Sequence, residues 1–301
     1  MQIKHSIIAC LITFAAFSQS GINSFLKPSD TLNISRRNAV VISEVSIASL
    51  TLLGLNQMWY VNYPKSNFHT FDDNNEWLQM DKVGHAFSAY QLSRLGANTL
   101  KWSGDNQKSQ LIYGSSLGLG FLTIVEVFDG FSEEWGFSWG DMAANVSGTG
   151  LFVGQELLWK EQRITLKYSF HRTEYAQQNP DKLGNGLSEE FLKDYNGQTY
   201  WLSFNLHSFF KDSKIPKWLN IAIGYGAEGM VSGTNNTTDT PIVHSNPYRQ
   251  YYLSLDLDLT RIKTNSHVLR TFFDVFNVVK MPFPTVEFTD KKGVKLHGIY
   301  F

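Results

Sequence analysis

Cysteine is all but missing from this chain: its 301 residues hold one, Cys10. That residue falls in an apolar N-terminal stretch expected to be removed, which would exclude disulfide bracing and thiol chemistry for the mature protein. The alternative is lipidation, since Ile8-Ala9-Cys10 loosely resembles a lipoprotein box, although few apolar residues precede it. Basic surplus is missing as well. With 26 Lys and Arg against 27 Asp and Glu the formal net charge is −1, and no dense basic stripe occurs, which excludes nucleic acid as a partner. Lys and Arg are wholly absent between Glu126 and Trp159. No His-Glu-x-x-His metalloprotease motif is present.

Aromatic residues, in contrast, make up 14% of the chain, with 8 Trp and 22 Phe. Such a load suits a membrane interface or thick aromatic layers. The mean hydropathy of −0.21 is too polar for a conventional multi-spanning protein. Lys4 and His5, the apolar run Ser6 to Phe17 and the small residues around Ser18 and Ser20 together read as an export signal. The expected organisation is a signal peptide over residues 1–20, a helical membrane-associated bundle over 21–162 and a mixed helix and strand region over 163–301. The fold class is therefore α+β.

Four apolar segments define the bundle: Asn38 to Tyr60, Asp81 to Leu100, Gln110 to Phe128 and Asp141 to Trp159. The third holds 15 uncharged residues from Leu111 to Val125 and the fourth 14 from Met142 to Gln155. Both fall short of the roughly 20 residues of an upright span. Short connections favour antiparallel neighbours. The alternation then gathers three polar clusters at one end: Asp81, Lys82 and His85; Glu126 and Asp129; Asp141 and Asn145. Arg36, Arg37, Lys101, Lys108, Lys160 and Arg163 fall at the other end. Gly114-x-x-x-Gly118 and Gly150-x-x-x-Gly154 predict close packing of the third and fourth helices.

Asp81 and His85, four apart, share a helix face. They suit a carboxylate orienting an imidazole for base work, or two ligands of a metal. The plain alternative is that Asp81 caps the helix and His85 simply packs. Asp141 and Asn145 repeat the spacing, with Ser138 as a capping partner of Asp141. A buried Asn needs a hydrogen-bond partner. Glu126 closes an apolar run, where a carboxylate needs a partner, a proton or a path to the interface. His85 and Lys82 are its candidate partners. Taken as a site, His85, Glu126 and Asp141 are the candidate catalytic groups, and Asp81, Lys82, Asp129 and Asn145 bind or orient. Taken as a network, the same groups lock the bundle.

From Arg163 the period changes to two. Ile164 to Phe170 and Tyr251 to Leu259 alternate as half-buried strands, with Leu219 to Tyr225 and Val294 to Tyr300 as weaker strands. Ser188-Glu-Glu-Phe-Leu-Lys193 reads as a capped helix start and Val268 to Lys280 as a helix. Gly224 to Gly229 lacks the Lys-Ser/Thr of a phosphate loop and reads as a strand end. Counting back by twos from Phe301 gives Ile299, His297, Lys295 and Gly293, not the apolar row of a membrane barrel.

The string Asp81-Lys82-x-x-His85, Glu126 late in an apolar helix, and Trp139-Gly140-Asp141-x-x-x-Asn145-x-x-Gly148 together resemble the VanZ-like group. Within it the chain is most similar to the YfiM-type predicted envelope (lipo)proteins. Lys193 to Trp201 and Gly224 to Gly229 resemble the tails of the longer, Bacteroidetes-type members. The resemblance implies a location and a fold rather than a reaction. The chain departs from those relatives in its export signal, its charged second helix and its long tail. An exported envelope protein is expected, periplasmic or associated with the outer membrane. Its partner is expected to be a membrane lipid or cell-wall component, acted on or bound at the acidic end; the alternative is a non-catalytic scaffold. Substrate, cofactor, metal and oligomeric state are not specified by the residues.

Overall fold

The apolar runs become four antiparallel helices because each has a stretch of uncharged residues to bury and polar residues to end on. The computed structural model describes residues 21–61, 63–233 and 246–300. The export signal with Cys10, the chain end at Phe301 and part of the loop after Val231 lie outside them. The helices are α1 (Ile34–Tyr60), α2 (Met80–Trp102), α3 (Gln107–Gly130) and α4 (Trp139–Leu158). α1 and α3 carry π-turns, at Asn56–Tyr60 and Gln110–Gly114. Arg36 on α1 stacks 4.5 Å from the Trp102 ring at the end of α2, while Tyr60 at the other end of α1 meets Asp129 at the end of α3. The two ends of the bundle are thus basic and acidic.

α2 is the central helix, and glycine sets how closely its neighbours approach. Gly96 of α2 lies against the Gly114 backbone, and Gly118 lies against Ala89 and Ser93. On the other side Gly148 of α4 lies on the Ala86 carbonyl. The third and fourth helices do touch, as expected, but not through their glycine motifs: Gly150 and Gly154 face open space, and the Gly114–Gly118 face packs on α2. α1 is the least covered helix. Only Val40 along Ile34–Leu55 is buried, and Leu50 is 68% exposed. Among the described residues α1 and α3 are long and apolar enough to cross a membrane. The 24-residue length of α3 exceeds the uncharged run inside it.

The C-terminal half forms a six-stranded antiparallel meander in the order β1 to β6: Ile164–Phe170, Gln198–Asn205, Leu219–Glu228, Tyr248–Leu257, Phe283–Thr289 and Gly293–Tyr300. Helices α5 (Leu187–Lys193) and α6 (His267–Phe276) sit in its connections. α5 starts after Gly186 with no side-chain cap, so Ser188 is not the cap its position suggests. β1 packs on the bundle: Leu166 joins Tyr90, Ala97 and Phe152 in one core cluster, and Tyr168 and Tyr200 join Met80 in another. The loop residues Val278 and Lys280 hydrogen-bond Tyr168 on the outer edge of β1. The sheet curls so far that Tyr300 on β6 lies 3.1 Å from Thr199 on β2.

Alternation along β4 is present, but its faces are the reverse of a soluble sheet. Tyr251, Leu253 and Leu255 are exposed, while Tyr252, Ser254 and Asp256 are buried. The enclosed face is polar. Lys167 pairs with Asp256 at 2.8 Å, both 0% exposed, and Ser203, Asn220 and Asn205 continue the network. Each buried polar group there finds a partner, which is what makes such an interior tolerable. In β6 a register shift opposite Phe283 and Thr285 adds one residue. A bulge of this kind moves later side chains to the other face. Val294, Leu296 and Ile299 therefore all lie exposed, and the row expected from counting back by twos is corrected.

A methyl added at Gly148 has to push α4 off the α2 backbone, whereas one at Gly150 meets nothing. Gly148→Ala is expected to destabilise by about 1–3 kcal/mol. Gly150→Ala should leave stability unchanged or raise it by up to about 1 kcal/mol. Thermal unfolding of both variants in one detergent checks this, and equal shifts contradict it.

Candidate functional site

The loop before α2 makes an unusual entry. Trp77, Leu78 and Gln79 have φ of 48°, 51° and 64°, three successive left-handed residues with side chains. Each such residue costs on the order of 1–3 kcal/mol and persists only where its surroundings hold it. Here the tail holds it. The Gly233 carbonyl accepts from Trp77 N at 2.9 Å, the Tyr225 hydroxyl donates to the Leu78 carbonyl, and Arg249 donates to Gln79 Oε1 at 2.6 Å. The chain leaves this turn into the first residues of α2, which carry Asp81, Lys82 and His85.

Lys82 Nζ lies at the centre of three carboxylates: 2.6 Å from Asp73 Oδ1, 3.3 Å from Asp81 Oδ2 and 3.0 Å from either oxygen of Asp141. Asp81 Oδ1 accepts from the Tyr195 hydroxyl at 2.7 Å. His85 Nδ1 is 3.1 Å from Asn145 Oδ1 and 3.5 Å from Glu126 Oε1, and its Nε2 is 3.8 Å from Asp81 Oδ1. Glu126 Oε2 accepts from Ser138 N at 3.1 Å. Ser138 caps α4 by accepting from Asp141 N, and its hydroxyl donates to Asp73 at 2.6 Å. Asp129 lies at the same end but bonds Tyr60 at 2.7 Å instead.

These contacts bring Asp81, Lys82, His85, Glu126, Asp141 and Asn145 into one cluster, with Asp129 beside it. Two readings of single residues change. Gln79, not Asp81, is the residue preceding α2, so Asp81 serves the cluster rather than the cap. Lys82 pairs with Asp73, Asp81 and Asp141, so of the two partners expected for Glu126 only His85 is present. Ser138 joins as the capping partner of Asp141 that its spacing predicts, while Asp73 and Tyr195 complete the cluster and are not legible as members from spacing. Asp73 sits in an irregular loop, and Tyr195 lies more than a hundred residues from Asp81.

One further string, Gly114-Ser-Ser-Leu-Gly118, has the spacing of a nucleophile elbow. It runs within α3 rather than between strand and helix, and Ser116 bonds the Tyr113 carbonyl at 2.7 Å. It is helix packing, not an elbow.

The charges divide the two aspartates. Burial would raise the Asp81 carboxyl, but His85, Lys82 and the Tyr195 hydroxyl outweigh it and hold the group below its ordinary range. Burial raises Asp141, the charge of Asp81 adds to it, and His85 and Lys82 only partly oppose them. Burial disfavours the charged forms of His85 and Lys82, yet the surrounding carboxylates raise both. One carboxyl biased to ionise beside one biased to keep its proton, with an imidazole between, is an acid–base arrangement. Asp73, Asp81, Lys82 and His85 keep part of their side chains open to solvent, so the cluster is reachable.

Residues 69–155 match the model of a family described as predicted periplasmic lipoprotein (DUF2279). The matched stretch contains every charged member of the cluster, from Asp73 to Asp141. An exported protein of the bacterial cell envelope is what this likeness supports, and the family's description attaches no activity. No curated protein and no solved structure matches the chain.

Because Tyr195 belongs to the tail and Asp81 to the bundle, their hydrogen bond joins the two halves at the site. Tyr195→Phe is expected to lower stability by about 1.5–3 kcal/mol, the range for a hydrogen bond to a charged group. Denaturant unfolding measures it, and an unchanged midpoint contradicts the contact.

Proposed function

We propose that the acidic end of the bundle is an acid–base site that binds and hydrolyses a lipid or cell-wall component of the envelope. The observation that carries this reading is the geometry of His85. Its Nδ1 side is engaged by Asn145 and Glu126, which leaves Nε2 as the ring nitrogen open to water, 3.8 Å from Asp81 Oδ1. In the proposed step the neutral His85 takes a proton at Nε2 from a water whose oxygen bonds to the electrophilic centre of the substrate, and as the bond to the leaving group breaks Asp141 gives that group a proton. Asn145 orients the imidazole, Asp81 stabilises the imidazolium that forms, and Lys82 steadies the carboxylates. The exposed apolar rows of α1, β4 and β6 supply a surface that suits lipid, which favours a lipid over a soluble substrate.

The spacing from Asp81 to Asn145 that resembles the VanZ-like and YfiM-type proteins falls inside the matched stretch, and we infer a shared bundle. The description of that family as lipoproteins makes Cys10 a candidate for acylation. A second reading, a structural lock for the bundle, is favoured by one observation: Lys82 already neutralises groups from a loop and two helices.

The two readings separate on substitution. The protein in detergent, mixed with vesicles of total envelope lipid, is expected to release hydrolysed lipid detectable by mass spectrometry. His85→Gln should lower that rate by about 10²–10⁴-fold, the usual contribution of a general base, with little change in melting temperature. Wild-type protein that releases nothing, together with a His85→Gln variant that melts several degrees lower, supports the lock instead.

A further inference from the structure

We propose that Asp81, His85 and Asp141 form a binding site for one divalent transition-metal ion, Zn²⁺ or Mn²⁺. Each residue offers one ligand atom, and these three atoms lie within 4.8 Å of one another. A metal with 2.0–2.2 Å bonds holds its ligands about 3–3.5 Å apart, so rotation of the two carboxylates by about 1 Å closes the set. One imidazole and two carboxylates suit Zn²⁺ or Mn²⁺ and disfavour the soft, sulfur-seeking Cu⁺.

Three further features point to a cation rather than to a bare acidic cluster. First, the imidazole is already oriented. Asn145 Oδ1 receives the Nδ1 proton, which fixes the tautomer with Nε2 free to ligate, and the Tyr195 hydroxyl likewise steadies Asp81. Outer-shell bonds of this kind accompany metal-bound His and carboxylate. Second, buried oxygens are left without hydrogen bonds. Asp141, 3% exposed, has Oδ1 in a 3.0 Å ion pair with Lys82 but in no hydrogen bond, and Glu126, 1% exposed, has Oε1 in no hydrogen bond, 3.5 Å from His85 Nδ1. Third, carboxyl groups outnumber cationic ones: Asp73, Asp81, Glu126, Asp129 and Asp141 meet one ammonium and one imidazole at this end of the bundle. Lys82 serves as partial counterion to Asp141 and keeps Asp73 when a metal takes its place at the Asp141 oxygen.

Three protein ligands leave a coordination position for water, the pattern of catalytic rather than structural sites. The proposal rests on the acid–base reading only for the place of the site, because a bound ion takes His85 Nε2 and Asp141 as ligands and so replaces them as base and acid. Metal content is read separately from turnover. The test uses the full chain in detergent, purified without a histidine tag, stripped with EDTA and titrated with ZnCl₂ or MnCl₂ by calorimetry. Elemental analysis then follows on the dialysed protein.

One equivalent of bound Zn²⁺ or Mn²⁺ is expected, with an absorption-edge spectrum of nitrogen and oxygen ligands and no sulfur. Asp81→Asn and Asp141→Asn, nearly isosteric and so suited to folding, should each weaken binding at least 100-fold. Asn145→Ala should weaken it by about 10–100-fold, as outer-shell changes do. Binding below 0.2 equivalents, or equal affinity in the two Asp→Asn variants with intact circular dichroism, overturns the proposal. Absence of binding together with lipid hydrolysis by the metal-free protein overturns it while leaving the acid–base reading in place. One tightly held metal without hydrolysis supports the site and removes the hydrolytic reading.

Discussion

The Lys82 ammonium, shared by Asp73, Asp81 and Asp141, is the interaction on which the acidic end of the molecule depends. It ties a loop, the start of α2 and the start of α4 to one point. Without it three carboxylates would face one another in a poorly solvated place, and removing one partner of a buried ion pair is costly for that reason. The close helix contacts serve the same point. Gly148 lets α4 lie on the Ala86 carbonyl, one residue beyond His85, and this approach brings Asn145 within reach of the imidazole.

The C-terminal sheet is part of this arrangement rather than an appendage. Tyr225, Arg249 and the Gly233 carbonyl hold the left-handed turn before α2, and Tyr195 reaches back to Asp81. Backbone strain at Trp77 to Gln79 is thus offset by contacts from residues at least 147 positions later in the chain. The sheet encloses polar groups and turns apolar ones outward, and α1 does likewise along most of its length. Both halves therefore present apolar surface away from the cluster. The protein joins a charged, partly exposed cluster to an apolar outer surface.

Much of this was legible in the residues. Four apolar runs bracketed by Asp81, Glu126 and Asp141 mark helix ends, and antiparallel connection follows from their spacing. The grouping of His85 with Asn145 and Glu126 follows in turn. Asp73 and Tyr195 were not legible, because a loop carries no period and a contact across more than a hundred residues leaves no local trace. In β4, the alternation of Leu253 and Leu255 with Ser254 and Asp256 reveals a strand, but not which face is covered; only the neighbours decide that. β5 escapes notice because Pro282 and Pro284 mark a break, although Pro284 sits within the strand. β2 escapes because Thr199, Tyr200, Trp201 and Ser203 are all buried, so no polar face marks the period.

The most direct test of the central claim is a double-mutant cycle on the pair that joins α2 to α4. Lys82→Met, Asp141→Asn and the double variant are compared with wild type by unfolding in one detergent. A shared Lys82 anchor requires a coupling energy of about 2–3 kcal/mol, as for groups in one buried network. A coupling within about 0.5 kcal/mol of zero would mean that these side chains act independently, and the cluster would lose its anchor.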